Sequence, residues 1–248
     1  MSWFDAIAVL AAGMAAGTIN TIVGSGTLIT FPTLLALGYP PVLANVSNTV
    51  GLVPGSLSGA IGYRRELTGQ RSRLLRLGVA SLLGGLTGGI LLLALPASAF
   101  STIVPALIAL GCLMVAAQPW ISARVATRHD APAHGSVWVW LGVFVVGIYG
   151  GYFGAAQGVL LVAIMGIGLD ETMQRLNAAK NVLAGLVNAV AAALFIVVAE
   201  VAWPVALLIA GGAIVGGQIG AGVGRRLPPV VLRVVIVTVG VVAVWQLL

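Results

Sequence analysis

Hydrophobic residues dominate ten stretches of the chain, and polar residues are mostly confined to the short connections between them. The stretches lie at residues 4–23, 27–37, 42–62, 74–95, 98–118, 136–153, 157–168, 172–198, 203–224 and 229–248. Most of them approach the ~20 residues that a helix needs to cross the hydrocarbon core of a bilayer. This pattern predicts an all-α polytopic membrane protein.

Two stretches, 27–37 and 157–168, are too short to cross a core of ~30 Å as straight helices. Each follows a break that contains glycine, residues 24–26 in the first case and residues 154–158 in the second. Lipid tolerates broken backbone only where protein or a watery cavity covers it. We therefore expect two re-entrant half-helices that return the chain to the side it came from. Tilted crossing segments are the alternative.

Features of the first half of the chain recur in the second half at a spacing of 132 residues. The matched pairs are Gly26 with Gly158, Leu28 with Leu160, Asn45 with Asn177, Gly84, Gly85 and Gly88 with Gly216, Gly217 and Gly220, and Leu95-Pro96 with Leu227-Pro228. A spacing two residues shorter would align Gly24 with Gly154 instead. The repeat predicts a first transmembrane repeat over 1–118, a linker over 119–135 and a second repeat over 136–248.

Basic residues occur in alternate connections only. They are Arg64, Arg65, Arg71, Arg73, Arg76, Arg124, Arg128, Arg175, Arg225, Arg226 and Arg233. The positive-inside rule then places 64–76 and 119–135 in the cytoplasm and both chain termini outside. The basic connection at 64–76 corresponds to the acidic one around Glu200, so the charge bias changes sign between the halves. We therefore predict inverted-topology repeats, as in many secondary transporters.

Composition supports a membrane protein. Hydrophobic residues make up 60% of the chain and charged residues 7%, with a mean hydropathy of +1.11. Soluble domains have about a quarter of their residues charged. The net charge of +6 does not indicate a nucleic-acid partner, because the arginines lie at the ends of apolar stretches. The expected surroundings are a lipid bilayer.

Single histidine and cysteine residues give no indication of a chemical role. His129 and His134 fall in the linker, where we expect solvated side chains. Cys112 lies in an apolar stretch, where we expect it to pack as a small hydrophobic residue. No basic segment precedes the first apolar stretch, so we expect no cleaved signal peptide.

A polar face is present on one apolar stretch in each half. In the second half it consists of Asn177, Lys180, Asn181 and Asn188, and in the first half of Asn45, Asn48, Thr49 and Ser56. Residues spaced by three, four and eleven positions share one side of an α-helix. We therefore expect two facing polar helices in the interior of the protein. Polar residues that simply hold transmembrane helices together are the alternative for the asparagines.

Lys180 is the only lysine in the chain and is predicted to lie near the bilayer midplane. A charged lysine at that depth costs roughly 2.5–3.5 kcal/mol, so it should face the interior and have a partner. All acidic residues lie at or beyond helix ends, namely Asp5, Glu66, Asp130, Asp170, Glu171 and Glu200. We therefore expect an anionic ligand to supply the counter-charge. A lysine that reaches the inner surface, or a neutral amine bonded to asparagines, is the alternative.

The start of each half-helix offers unpaired backbone N–H groups and the positive end of a helix dipole, which together favour an anion. With the two polar faces, these segments give the predicted substrate-binding residues. They are Asn20, Thr21, Gly24, Ser25, Gly26, Thr27, Asn45, Asn48, Thr49, Tyr149, Tyr152, Gln157, Gly158, Asn177, Lys180 and Asn181. The glycines at 84–89 and 216–224 have the spacing of helix-packing residues instead. The same glycines would equally allow close helix packing between two copies of the chain in a homodimer.

The sequence lacks the motifs of several classes of enzyme and metal site. The chain contains no GxxxxGK[ST] phosphate loop, no HExxH sequence and no pair of cysteines. Ser25 lies between glycines as in a nucleophile turn, but no histidine lies in an apolar stretch to activate it. We therefore expect no enzymatic activity, no metal and no cofactor.

Four segments resemble the TauE/SafE sulfite exporter family. They are GTINTIVGSGTLITFPTL at 17–34, ANVSNT at 44–49, GIYGGYFGAAQG at 147–158 and NAAKN at 177–181. The last part of the third segment departs from the family pattern, since Ala155, Ala156 and Gln157 stand where glycines are usual. The resemblance implies a bacterial inner-membrane protein that exports a small anion such as sulfite, sulfoacetate or a related organosulfonate.

The resulting hypothesis is a transporter that works by alternating access around a midplane anion site. An anion leaving a negative-inside cell runs downhill, so export could proceed without a coupling ion. An anion channel of the same topology is the first alternative. An intramembrane enzyme and a passive scaffold subunit are further alternatives, disfavoured by the missing catalytic groups and by the two polar faces.

Overall fold

The computed structural model describes residues 1–126 and 136–223, together with residues 234, 236–239 and 241. Its principal elements are α1 (Trp3–Ile22), α2 (Thr27–Ala36), α3 (Pro41–Gly62), α4 (Arg71–Ala94), α5 (Ala97–Ala126), α6 (Val137–Tyr152), α7 (Gln157–Gly168), α8 (Met173–Val198) and α9 (Trp203–Val223). No strand occurs in the described ranges. Within the described part of the chain, five helices, α1, α4, α5, α8 and α9, are long and apolar enough to cross a membrane. The prediction of an all-α polytopic membrane protein is confirmed.

The two predicted half-helices are present as α2, with 10 residues, and α7, with 12 residues. Gly24 and Gly154 precede them with φ angles of +87° and +78°, a left-handed conformation that glycine adopts without strain. The Gly24 N–H turns back to Ile19 O at 3.0 Å, and the Gly154 N–H turns back to Tyr149 O at 3.1 Å. The turns at Gly24 and Gly154 therefore have the same main-chain geometry, whereas Gly26 and Ala156, directly before α2 and α7, differ, with φ angles of −61° and +59°.

This shared geometry corrects the predicted repeat spacing at the breaks. Gly24 corresponds to Gly154, which is a spacing of 130 residues and not 132. The two residues are regained because α7 is two residues longer than α2. Gly26 therefore corresponds to Ala156, which precedes α7 with a φ angle of +59°, and not to Gly158.

Close approaches at glycine fix the relative directions of the helices. Gly13 of α1 and Gly51 of α3 approach Ile209 of α9. One turn further along, Gly17 of α1 and Gly55 of α3 approach Ala213 of α9. Gly84 and Gly88 of α4 approach Gly147 and Ile148 of α6, respectively. Gly85 and Gly89 of α4 approach Val187 and Ala191 of α8, respectively. Residue numbers rise together in every pair. Helices α1, α3 and α9 are therefore parallel to one another, and so are α4, α6 and α8.

These directions show what the half-helices do. Because α1 and α3 run the same way, α2 must return the chain to the side where α1 begins. The same argument applies to α7, which lies between the parallel helices α6 and α8. Both short segments re-enter, as expected. The glycines at 84–89 and at 216–220 are used for packing within the chain, and the homodimer stays a prediction.

Each set of parallel helices combines elements from both halves of the chain. We call α1, α3 and α9 the first bundle, and α4, α6 and α8 the second bundle. Tyr63, just after α3, packs against Ala178 near the start of α8, so α3 and α8 are antiparallel and the bundles run in opposite directions. The inverted relation of the two sequence repeats stays a prediction, which these opposite directions support.

An ion-pair cluster joins the start of α4 to the start of α8. Arg73 Nη1 and Arg175 Nε lie 2.9 and 2.7 Å from the two carboxylate oxygens of Glu171, and Arg175 Nη1 donates to Thr68 O at 3.0 Å. Burial would raise the pKa of Glu171, but hydrogen bonds from Arg175 and Arg73 outweigh it and leave the pKa below its usual value. The connection at 64–76 and Arg175 thus share one side, as the basic pattern predicts. Its cytoplasmic location stays a prediction.

The predicted linker over 119–135 stays a prediction, and the structure describes only its first part. Helix α5 continues to Ala126, through Pro119, so the first part of 119–135 is helical. Apolar neighbours and membrane surroundings allow a helix to continue through proline where a soluble helix would usually end. His129, His134, Arg128, Arg225, Arg226 and Arg233 lie outside the described residues, as does most of the stretch 229–248.

The glycine contacts generate a paired stability prediction on α9. An added Cβ at Gly216 would overlap Met14 O, whereas one at Gly211 has only Leu10 Cδ1 nearby, at 3.9 Å. We expect Gly216→Ala to lower the melting temperature in detergent, since overpacking typically costs about 1–3 kcal/mol. Gly211→Ala should leave it unchanged or raise it slightly, because alanine favours helix. Equal melting temperatures for the two variants would contradict the proposed role of Gly216.

The Glu171 cluster generates a pH prediction. A folded-state pKa below the unfolded value, ordinarily 4.5, contributes stability that is present above that pH and is lost as pH falls through the folded pKa. We expect the melting temperature of Glu171→Gln to lie below that of wild type at pH 7. The difference between the two melting temperatures should shrink as pH falls below about 4.5. Thermal unfolding between pH 7 and pH 3 measures this. Glu200→Gln, at an exposed connection, is the matched control and should show no such gap.

Candidate functional site

The two breaks meet at Gly24 and Gly158. The Gly158 N–H donates to Gly24 O at 2.9 Å, so the first turn of α7 rests on the chain that leaves α1. A Cβ on either glycine would overlap the Cα atom of the other. Only glycine allows this approach, which brings together two interrupted helices that the sequence places far apart. The expected meeting of the breaks is therefore observed.

Lys180 is fully buried beside this crossing. Its Nζ atom donates to Asn20 O at 2.8 Å and to Thr21 O at 3.2 Å. Both carbonyls belong to the last turn of α1, where helix ends leave acceptors unpaired and the helix dipole is negative. In the structure the end of α1 therefore provides neutral hydrogen-bond partners for Lys180. The expectation that an anionic ligand supplies the counter-charge stays a prediction.

Two asparagines of α8 bind the same turn of α1. Asn177 Nδ2 and Asn181 Nδ2 donate to Thr21 O at 3.2 and 3.3 Å. With Lys180, three side-chain donors reach this one carbonyl oxygen. The polar face of α8 thus satisfies the broken end of α1, which is the form of side-chain hydrogen bonding that broken helices require in lipid.

The polar face of α3 acts in part on the other break. Asn45 Nδ2 donates to Tyr152 O at 3.0 Å, at the end of α6. Asn48, which matches Lys180 in the repeat, instead contacts Thr27 Oγ1 at 3.4 Å and accepts from Thr30 Oγ1. The two halves therefore differ: one break is bound by a cation and two amides, and the other by a single amide.

The remaining predicted residues complete the two breaks. Asn20 Oδ1 accepts from the Gly26 N–H at 2.6 Å, which pairs one of the free donors before α2. Thr49 Oγ1 bonds to Asn45 O of its own helix at 2.9 Å, and the Tyr149 hydroxyl donates to Ala155 O. The Ser25 and Tyr152 hydroxyls are buried and have no hydrogen-bond partner.

A cavity of about 400 Å³, including its open part, lies between these elements. Its lining consists of Asn20, Thr21, Gly24, Thr27, Ser56, Gly154, Gln157, Gly158, Asn181, Ala184 and Asn188. Seven of these are predicted site residues: Asn20, Thr21, Gly24, Thr27, Gln157, Gly158 and Asn181. The other predicted residues are not part of the lining: Ser25, Gly26, Asn45, Asn48, Thr49, Tyr149, Tyr152, Asn177 and Lys180.

Four lining residues were not among the predicted site residues. Ser56 and Asn188 lie eleven positions beyond the first member of each polar face, so their spacing already carried the signal. Gly154 belongs to the second break, and the sequence left open whether it aligns with Gly24 in the repeat. Ala184 gives no chemical signal, since a small apolar residue in an apolar helix is indistinguishable from a packing residue.

The cavity wall is polar but uncharged. Hydroxyl and amide side chains face it, and it contains no carboxylate. Gln157 is 3% exposed and its Nε2 atom has no hydrogen-bond partner. An unpaired buried donor is unfavourable by about 1–3 kcal/mol, so a bound acceptor at this position would be stabilised. The arrangement is suited to binding a solute that carries several acceptor oxygens.

Membrane-length helices surrounding two broken helices and a polar cavity are typical of membrane transporters. The chain belongs to the "Sulfite exporter TauE/SafE" family, whose sequence model matches residues 9–247. The resemblance seen in the four sequence segments is confirmed, and the chain is a membrane transporter of this family.

Curated relatives agree with this class. The chain is 28% identical over 222 residues to "Probable membrane transporter protein YfcA" of Escherichia coli (strain K12), covering 86% of this chain and 77% of the relative. It is 26% identical over 225 residues to a "Probable membrane transporter protein" of Haemophilus influenzae, covering 88% and 84%. It is 25% identical over 248 residues to "Probable membrane transporter protein ORF9" of Sinorhizobium sp, covering 96% and 90%. These names are consistent with a protein that is not an enzyme.

The crossing of the breaks generates a third prediction. An added Cβ at Gly158 would overlap Gly24 Cα and would also approach Lys180 Cδ at 2.8 Å. We expect Gly158→Ala to lower the melting temperature and the yield of folded protein, because the backbone at Gly24 cannot move away without losing the 2.9 Å hydrogen bond. Gly111→Ala is the control, since its nearest neighbours would lie 3.4 Å away. A Gly158→Ala protein as stable as the control would contradict a tight crossing.

Proposed function

We propose that this transporter exports a small oxyanion, of the class of sulfite, sulfoacetate or a related organosulfonate, through the cavity between its bundles. The observation that carries the proposal is the cavity wall: hydrogen-bond donors from both breaks converge there, and no carboxylate lines it. The family's description as sulfite exporters points to the same solute class.

Charge around the cavity favours an anion over a cation. Lys180 does not line the cavity, but it is bonded to Asn20 and Thr21, which do. Its ammonium group therefore raises the local potential without needing to touch the solute. The start of α7 adds the positive end of a helix dipole at Gln157 and Gly158. Among the described residues, the acidic side chains lie at or beyond helix ends.

The donors of the cavity favour a compact solute with several oxygens. Asn181 and Asn188 of α8, Thr27 of α2 and Gln157 of α7 can each donate to an oxygen, whereas the Ser56 hydroxyl already donates to Leu52 O at 3.1 Å. A sulfonate or sulfite group presents three oxygens to such a set.

The proposed mechanism is alternating access, with the two bundles as the moving parts. The sequence repeats themselves are not separate bodies, because α9 packs in the first bundle and α4 in the second. The bundles meet along α3 and α8, the helices that carry the polar faces. Rocking at this contact would open the cavity to one side and then to the other.

The driving force is proposed to be the membrane potential alone. An anion that leaves a negative-inside cell gains ~2.3 kcal/mol per charge per 100 mV. The cavity lining contains no carboxylate that could carry a proton or hold Na⁺. Export would then be uniport. Flux in liposomes that requires a pH or Na⁺ gradient would rule this out.

Gln157 provides the sharpest test of the binding site. We expect sulfite or sulfoacetate to raise the melting temperature of the wild type and Gln157→Leu to weaken that binding about 10- to 100-fold. This range corresponds to one lost hydrogen bond to a charged group, about 1.5–3 kcal/mol. Titrations of melting temperature against sulfite, sulfoacetate, isethionate, taurine and sulfate measure it, and export from proteoliposomes should fall in parallel.

Gln118→Leu is the matched control for this test. Gln118 on α5 also has a buried, unpartnered side-chain oxygen, but it does not line the cavity. Its variant should bind and export as the wild type does. If Gln157→Leu and Gln118→Leu bind every anion equally well, the cavity is not the anion site.

A further inference from the structure

The last turn of α1 has the features of a site for a monovalent cation. The Gly24 N–H turns back to Ile19 O, so the chain after the break does not cover the next two carbonyls, Asn20 O and Thr21 O. Both lie at the negative end of the helix dipole. In broken-helix transporters, such helix ends and unwound carbonyls are the groups that coordinate coupling cations.

The group that occupies this position is the side-chain nitrogen of Lys180. Its distances to Asn20 O and Thr21 O, 2.8 and 3.2 Å, are hydrogen-bond distances, and the side chain is fully buried. No carboxylate among the described residues forms an ion pair with it; Glu171 is paired with Arg73 and Arg175 instead. The ligands of this charge are therefore neutral carbonyl oxygens, as they would be for a small free cation.

The lysine side chain also links the two breaks. Its ammonium lies on the end of α1, and its Cδ atom lies next to Gly158 at the start of α7. Asn177 and Asn181 flank it on α8 and bond to the same Thr21 oxygen. The site is thus enclosed by three helices, and the crossing of the breaks depends on it.

The other break has no such arrangement. Asn48 takes the place of Lys180 in the repeat, and it contacts Thr27 and Thr30 of α2 and not the end of α6. Only Asn45 reaches that end, at Tyr152 O. Because one break holds a charge and the other does not, the lysine is not a general requirement of the broken-helix geometry.

We propose that the end of α1 is a monovalent-cation site that the chain fills with its own lysine. The tethered ammonium holds the site permanently, so no free Na⁺ or K⁺ is needed there to keep the break in place. The proposal concerns the cation site alone and is independent of the identity of the transported solute.

Chemical rescue tests this directly. Lys180→Ala should melt below wild type, and its empty site should accept a small cation. We expect methylammonium, ethylammonium or Na⁺ to restore the melting temperature of Lys180→Ala saturably by several degrees, whereas wild type should not respond. Choline, which is too large and donates no N–H, should have no effect on the variant. The result that overturns the proposal is a folded Lys180→Ala protein that responds to these cations no more than wild type does.

Asn181→Ala is the matched control variant. It removes another donor to Thr21 O from the same helix but leaves Lys180 in place. Its melting temperature should fall and should not recover with any of the cations. Recovery of Asn181→Ala to the same extent as Lys180→Ala would show a general salt effect and would overturn the proposal.

A measurement on the wild type covers the case in which Lys180→Ala does not fold. Because Lys180 is the only lysine, labelling with ¹⁵N-lysine gives a single side-chain nitrogen signal. We expect that nitrogen to be coupled to three protons at neutral pH, as an ammonium group. A neutral amine with two protons would overturn the proposal. Neither experiment uses a transported anion, so failure here is distinguishable from failure of the export function, which the Gln157→Leu titrations test.

Discussion

The structure depends on one constraint, that backbone interrupted inside a membrane must find its hydrogen-bond partners within the protein. Here the interrupted end of α1 receives Lys180, Asn177 and Asn181, and the start of α7 receives a carbonyl from the opposite break. These bonds tie α8 to α1 and α7 to the Gly24 turn. The cavity lies where these elements leave space, so its polar wall follows from the same requirement that keeps the breaks intact.

The two breaks satisfy this requirement with different chemistry, although their main-chain turns are alike. The end of α1 receives hydrogen bonds from Lys180, Asn177 and Asn181, and the second break receives them from the amide of Asn45 and the hydroxyl of Tyr149. Aromatic rings pack beside the second break as well. Phe31 of α2 and Phe153 lie edge to face with ring centroids 5.1 Å apart, and Phe100 of α5 joins them. A polar side and an apolar side thus meet where the two breaks cross.

Much of this architecture could be predicted from the sequence, because each correct prediction rests on a residue type with a local meaning. Hydrophobic runs gave helix bounds within a few residues at α3 and α8, and glycines marked both breaks. The polar faces of α3 and α8 were visible from spacing alone. The failures have a common physical source: every residue carries a carbonyl, so a sequence cannot reveal that Lys180 binds main-chain oxygens of Asn20 and Thr21. Likewise, composition does not reveal that α7 is two residues longer than α2. A proline often ends a helix, but α5 continues past Pro119.

The exchange of helices between the halves has a consequence for how the protein is made. Helix α1 enters the membrane first, yet the helix that covers its glycine face is α9, which begins at Trp203. Until the ribosome has added nearly the whole chain, the first helix has only lipid against the surface that will later be its closest contact. Biosynthesis therefore passes through a state in which the glycine face of α1 is not yet covered, and a chain truncated before α9 would keep that face open.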